Sequence, residues 1–149
     1  MRAQSTTKPL PGSRDLQHLL GSITPVLSPT RYTYCTVPLD EGDPVIESQA
    51  VATFLEVEGK TLVVEFEAAV TAGLEAVGEW AMLTMKVHSS LDAVGFIAAI
   101  ASALAEQRIS ANVMSGFFHD HVFVQWSRRH DAIAVLEALI ARYRSVPGR

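Results

Sequence analysis

Two short runs carry the side chains best suited to chemistry. One is His88-Ser89-Ser90, followed by Asp92; the other is His119-Asp120-His121. Histidine exchanges a proton near neutral pH, and serine hydroxyls both donate and accept hydrogen bonds. Three imidazoles and a carboxylate at one place would form a nitrogen and oxygen set of the kind zinc accepts in tetrahedral geometry. The candidate metal ligands are therefore His119, Asp120 and His121, with His88 nearby. The plainer reading of the same residues is a polar hairpin turn. A nucleophile, base and orienting group cannot be read from spacing, and no glycine-rich phosphate loop is present. No catalytic residue and no cofactor are expected.

The elements around these runs decide whether they meet. Trp80–His88 is nearly continuous in apolar residues, as in a central strand. Ser89 and Asp92 have the spacing of a capping box, so a helix is expected from Ser89 to about Gln107. Its stripe runs through Leu91, Val94, Ala98, Ala101 and Ala105, and so many alanines imply close packing on a sheet. Ala111–Phe118 and Val122–Trp126 read as strands joined by the His-Asp-His corner, and Asp131–Tyr143 as a closing helix. This half reads β-α-β-β-α. A split β-α-β element sets its first two strands parallel, with the third antiparallel between them. His88, His119 and His121 then fall at one edge of the sheet, beside a helix N-terminus suited to a carboxylate.

The first half repeats the pattern more weakly. Residues 14–23 suggest a short helix, and the Ser28-Pro29 pair stops its continuation. Tyr32–Val37 reads as a strand, Val45–Ala50 as a helical turn, and Glu67–Leu74 as a short helix. Residues 52–67 form a hairpin candidate whose turn is Glu58-Gly59-Lys60, with Gly59 free to take positive φ. The expected fold is α+β: two tandem ferredoxin-like βαββα units with antiparallel sheets and helices on one face. The division is a mobile tail at 1–13, a degenerate unit at 14–76 and a second unit at 77–145; residues 145–149 read as a short tail.

Composition bounds the function. The chain has 149 residues, a formal net charge of −4 and no basic stripe, so nucleic acid is not an expected partner. Its hydrophobic fraction of 48% speaks against global disorder. Cys35 is the single cysteine, which leaves no intramolecular disulfide or cysteine cluster. The most apolar run, Ala93–Ile100, is too short to span a membrane, and the N-terminus has no apolar signal core. A cytoplasmic protein with no membrane partner is expected.

At Val87–Gly95 (VHSSLDAVG), Asn112-Val113, Gly116–Val124 (GFFHDHVFV) and Phe54–Leu62 (FLEVEGKTL), the chain resembles the ACT family of small regulatory domains. More narrowly it resembles small bacterial proteins with two ACT-like repeats and no agreed function. The resemblance runs from about Tyr32 to Leu139. It implies a non-catalytic regulatory module that binds a small molecule, an amino acid above all. ACT domains pair side by side and hold the ligand at the seam, so a homodimer through ACT-type edges is implied. The implied ligand-binding residues are His88, Ser89, Ser90, Leu91, Asp92, Val94, Gly95 and Asn112. His88 takes the strand-end place of a ligand-contacting histidine in serine-sensing relatives, and Asn112 resembles the asparagine that opens their second strand. The loop from His88 to Gly95 is longer than theirs, and no proline precedes the glycine.

Each site residue has a structural reading too. Ser89 and Asp92 read most simply as helix caps. Gly95 either admits a ligand or lets helix and sheet backbones approach. Asn112 could hydrogen-bond its own turn. The competing functions are a metal-dependent enzyme built on the His-Asp-His corner and a partner-binding domain without a ligand.

Overall fold

The computed structural model describes residues 11–145. The expected tails at 1–13 and 145–149 lie outside the described residues except for residues 11–13 and 145. Helix α1 (Leu16–Ser22) comes first, capped by Asp15, whose carboxylate accepts from the His18 amide at 3.0 Å. The first repeat follows as β1 (Pro25–Val37), α2 (Pro44–Gln49), β2 (Ala52–Glu56), β3 (Gly59–Glu65) and α3 (Phe66–Thr71). The second is β4 (Val77–Met85), α4 (Phe96–Glu106), β5 (Ala111–Ser115), β6 (Asp120–Gln125) and α5 (Arg129–Arg144).

The strands form one six-stranded sheet in the order β2-β3-β1-β4-β6-β5, with every neighbouring pair antiparallel. The two β-α-β-β-α units are therefore fused rather than merely tandem. The first strand of each unit, β1 or β4, lies at the centre and borders the other unit. Within the second unit β6 lies between β4 and β5, the split arrangement expected from the pattern.

Alternation along the strands sorts the core. Leu83, Met85, Val122 and Val124 pack under α1, α4 and α5 with Leu19, Phe96, Ile100, Leu104, Leu136 and Ile140. Cys35, Leu62 and Val64 pack with Ile46 of α2 and Ala69 of α3. The intervening residues Tyr32, Val63 and Phe123 cluster with Tyr34, Trp80 and Met82 on the opposite face, which spans both units. All the helices thus share one face. On the other face Tyr34 and Trp80 meet edge-on, their centroids 5.5 Å apart. Arg31 joins the units: it donates to Glu67 at 2.6 Å and Glu79 at 3.0 Å, and its guanidinium lies 4.5 Å from the Phe66 ring centroid.

Several elements depart from the sequence reading. β1 begins at Pro25 rather than Tyr32, and it passes Pro29 through a register shift between Leu27 and Arg31. A bulge leaves its residues outside the hydrogen-bond ladder, so proline's missing N–H costs nothing there. Gly59 is not the turn's positive-φ residue. It opens β3, where an added Cβ would stand 2.7 Å from the Val37 carbonyl oxygen. The helix expected from Ser89 starts at Phe96 instead. Among the described residues no helix is long and apolar enough to cross a membrane.

Candidate functional site

Three strand ends meet beside α4. Met85 closes β4 opposite Asp120, which opens β6, and Asp120 also faces Ser115 at the end of β5. Residues 86–95 form the loop that returns the chain to α4. An N-terminal segment holds this loop: the Ser13 amide donates to the His88 carbonyl at 2.9 Å, and the Ser90 amide to the Ser13 carbonyl at 2.8 Å. Arg14 and Asp92 add an exposed ion pair at 2.5 Å. Gly95 ends the loop as the N-cap of α4 at φ +89°, a conformation costly for any residue with a Cβ. That is its structural reason. An added Cβ would also come within 3.2 Å of Leu16.

The capping box read at Ser89 and Asp92 does not form. Ser89, only 8% exposed, donates its hydroxyl to Asp120 Oδ2 at 2.8 Å. Ser115 donates to Asp120 Oδ1 at 2.5 Å. Asp92 instead takes a 3.3 Å contact from its amide to the Ser90 hydroxyl. The result is a buried carboxylate, 5% exposed, held by two hydroxyls at the head of the sheet. A cavity of about 40 Å³ adjoins it, lined among others by Ser89, Ser90, Leu91, Phe96, Ser115 and Asp120. At roughly 10–15 Å³ per water-sized group, that is room for a few such groups and less than a whole amino acid needs.

The other candidates scatter around this point. His88 stacks loosely on the exposed Phe118 and Phe117, with centroids 5.6 and 6.5 Å away. Leu91 and Val94 are exposed on the loop. The His119 Nδ1 lies 3.3 Å from the Val87 carbonyl oxygen that accepts its proton. His121 Nδ1 lies 3.0 Å from Thr84 Oγ1 on the helix-free face. Asn112 is exposed near the far end of β5, across from Phe123 on that same face. The geometry brings Ser89, Ser90 and Leu91 together, but Asn112 of the same chain does not join them.

The His-Asp-His corner does not converge as a metal centre. Asp120 and His121 are adjacent in β6 and point to opposite faces, while His119 belongs to the turn. Among the described residues no group of three or more His, Cys, Asp or Glu side chains could hold a metal ion. Two contributors escaped the sequence reading: Ser115 and Phe96. Ser115 was signalled as the polar residue in the inward series Ala111, Val113, Ser115.

Burial, and then repulsion from His119, lower the His121 imidazole below its ordinary value of 6.5, with Asp120 opposing. Between 6.5 and this lower value the unfolded chain binds the proton and the folded chain does not. Stability therefore rises with pH across that window and falls on acidification. His121→Gln is expected to flatten the dependence of Tm on pH between 7.5 and 5; an unchanged slope would assign it elsewhere.

Comparison with known proteins follows the same outline. Two family models described as ACT domain match residues 11–80 and 75–138. No curated protein matches. A solved Vibrio cholerae protein of unknown function, described as a possible transport protein, is 42% identical, with 85% of this chain and 97% of that one covered and a TM-score of 0.75. Aspartate kinase from Clostridium acetobutylicum is 14% identical, with 80% of this chain and 35% of that one covered and a TM-score of 0.61. The ligand-free regulatory subunit of aspartate kinase from Thermus thermophilus is 11% identical, with 78% and 97% covered and a TM-score of 0.54. The two kinase comparisons speak for the fold alone.

Proposed function

The chain belongs to the ACT-domain family, whose role is regulatory small-molecule binding, and on that premise we propose that it is a non-catalytic cytoplasmic sensor of an amino acid. The observation that carries the reading is Asp120, buried between Ser89 and Ser115 where three strand ends meet α4. A zwitterion suits this place. A carboxylate is favoured by the free amides at the N-terminus of α4, and an ammonium group by the buried aspartate. The ligand contacts proposed within one chain are His88, Ser89, Ser90, Leu91, Asp92, Val94 and Gly95.

The cavity is too small to enclose the rest of the molecule, so a second wall is required. We assign it to a second copy of the chain at the β5 edge. Asn112 lies on that edge strand and would reach the ligand from the neighbouring copy. Ligand binding would favour one arrangement of the pair through its differential affinity for the two states.

A thermal-shift screen of the twenty amino acids tests the reading. A ligand at a hundredfold excess over Kd stabilises the folded state by about 2.7 kcal/mol. One amino acid, or a small related group, is expected to raise Tm, with the shift reduced in Ser89→Ala and His88→Ala. No shift with any of the twenty would overturn the amino-acid assignment.

A further inference from the structure

The two repeats place opposite charges at one equivalent position. In the first, Lys60, Leu62 and Val64 of β3 lie opposite Val37, Cys35 and Thr33 of β1. In the second, Asp120, Val122 and Val124 of β6 lie opposite Met85, Leu83 and Ala81 of β4. Leu62 and Val64 face the helices of their unit, as do Val122 and Val124. Lys60 and Asp120 thus occupy matching inward positions at the start of each third strand.

Their surroundings differ. The Lys60 side chain is 15% exposed, and its ammonium donates to Glu47 Oε1 of α2 at 2.6 Å. The first repeat neutralises its own charge. Asp120 receives two hydroxyl hydrogen bonds but takes part in no ion pair among the described residues. Helix α4, which replaces α2 above it, carries no basic residue. A carboxylate this deeply buried is costly without a cation. The adjoining cavity of about 40 Å³ leaves room for one.

We infer that Asp120 is the counter-charge for a primary ammonium group carried by the ligand, and that each chain has one such site, in the second repeat. In the first repeat Lys60 stands where the ligand's ammonium enters the second. This inference rests on the small-molecule reading above and specifies its charge and stoichiometry. An ammonium fits better than a divalent metal. Its three N–H groups need only the free lone pairs of one carboxylate and neighbouring hydroxyls, whereas a metal needs three or four converging ligands. The cavity holds the ammonium and its first carbon, and the remainder leaves past the exposed Leu91.

The test uses the full chain and simple probes at matched ionic strength: methylammonium, tetramethylammonium, potassium, glycine and N-acetylglycine. Methylammonium and glycine are expected to raise Tm saturably. Tetramethylammonium and N-acetylglycine, which present no ammonium N–H, are not. Isothermal titration of the ligand found in the amino-acid screen is expected to give one site per chain. Asp120→Asn is expected to weaken methylammonium and that ligand at least tenfold while keeping or raising Tm in their absence. Equal stabilisation by potassium would assign the site to an inorganic cation and overturn the inference. So would two sites per chain, or probe shifts that survive Asp120→Asn. If Asp120→Asn does not fold, Ser115→Ala is the second variant, and unchanged methylammonium affinity there counts against the site. An amino acid that binds wild type and Asp120→Asn alike would sink this inference and leave the sensor standing. Methylammonium binding through Asp120, with no amino acid bound, would do the reverse.

Discussion

Phe96→Ala is expected to lower the free energy of unfolding by about 3–5 kcal/mol, the usual cost of removing a fully buried aromatic side chain. Phe96 is 1% exposed and is the first residue of α4. Its ring belongs to the cluster formed by α1, α4, α5 and the inner faces of β4 and β6. It also lines the cavity beside Asp120. Removing it empties a core position and loosens the helix end that borders the site. Against a total stability of about 5–15 kcal/mol, the variant sits near the limit of folding. Urea denaturation with ligand present and absent measures both effects. A loss below about 1 kcal/mol would mean that the α4 N-terminus is not seated on the sheet as described.

The position of Phe96 also shows where sequence reading stops. The periodicity of Phe96, Ile100 and Leu104 marks a buried helix face, yet the expected helix began at Ser89 because Ser89 and Asp92 satisfy a local capping rule. The tertiary structure gives Ser89 a partner 31 positions away, and Gly95 supplies the turn that starts the helix. A local rule was outcompeted by a buried carboxylate, which needs donors wherever it finds them. β1 shows the same limit. Its proline residues argue against a strand from sequence alone, and only the bulge between Leu27 and Arg31 explains how the chain accommodates Pro29.

The family resemblance, the α+β class and the split order of the second unit were legible, because they rest on alternation and on the long motif runs. The fusion of both units into one sheet was not, since no residue pattern announces that β1 will pair with β4. Of the two readings of the His-Asp-His corner, the metal set does not assemble among the described residues, for a simpler reason. Consecutive residues of a strand face opposite ways, so Asp120 and His121 cannot ligate one ion from within β6. Period two contained that answer once the start of the strand was known. Asp120 matters in a different role, as the one buried charged side chain among the described residues.

If the chain pairs along β5 as proposed, replacing Phe117 and Phe118 together by aspartate is expected to convert that dimer to a monomer and to weaken the proposed ligand at least tenfold. Both rings are exposed at the turn between β5 and β6, where they meet at a centroid distance of 5.0 Å. Scattered exposed apolar residues need no explanation, but here the two rings gather against His88, and Leu91, which lines the cavity, and Val94 are exposed on the loop that follows it. β5 beside them is an edge strand with unpaired backbone groups, an arrangement that native proteins cover or use for association. A second copy placed there would cover the apolar side chains and close the ligand cavity at once. Two aspartates would add like charge and desolvation cost at that contact. The control is Leu55→Asp with Val57→Asp at the hairpin of the first repeat, more exposed still but at the opposite end of the sheet. It is expected to leave assembly and affinity unchanged. Sedimentation equilibrium with and without ligand separates the cases. A wild-type monomer that binds its ligand at full affinity would place the second wall of the site within one chain and remove the dimer from the mechanism.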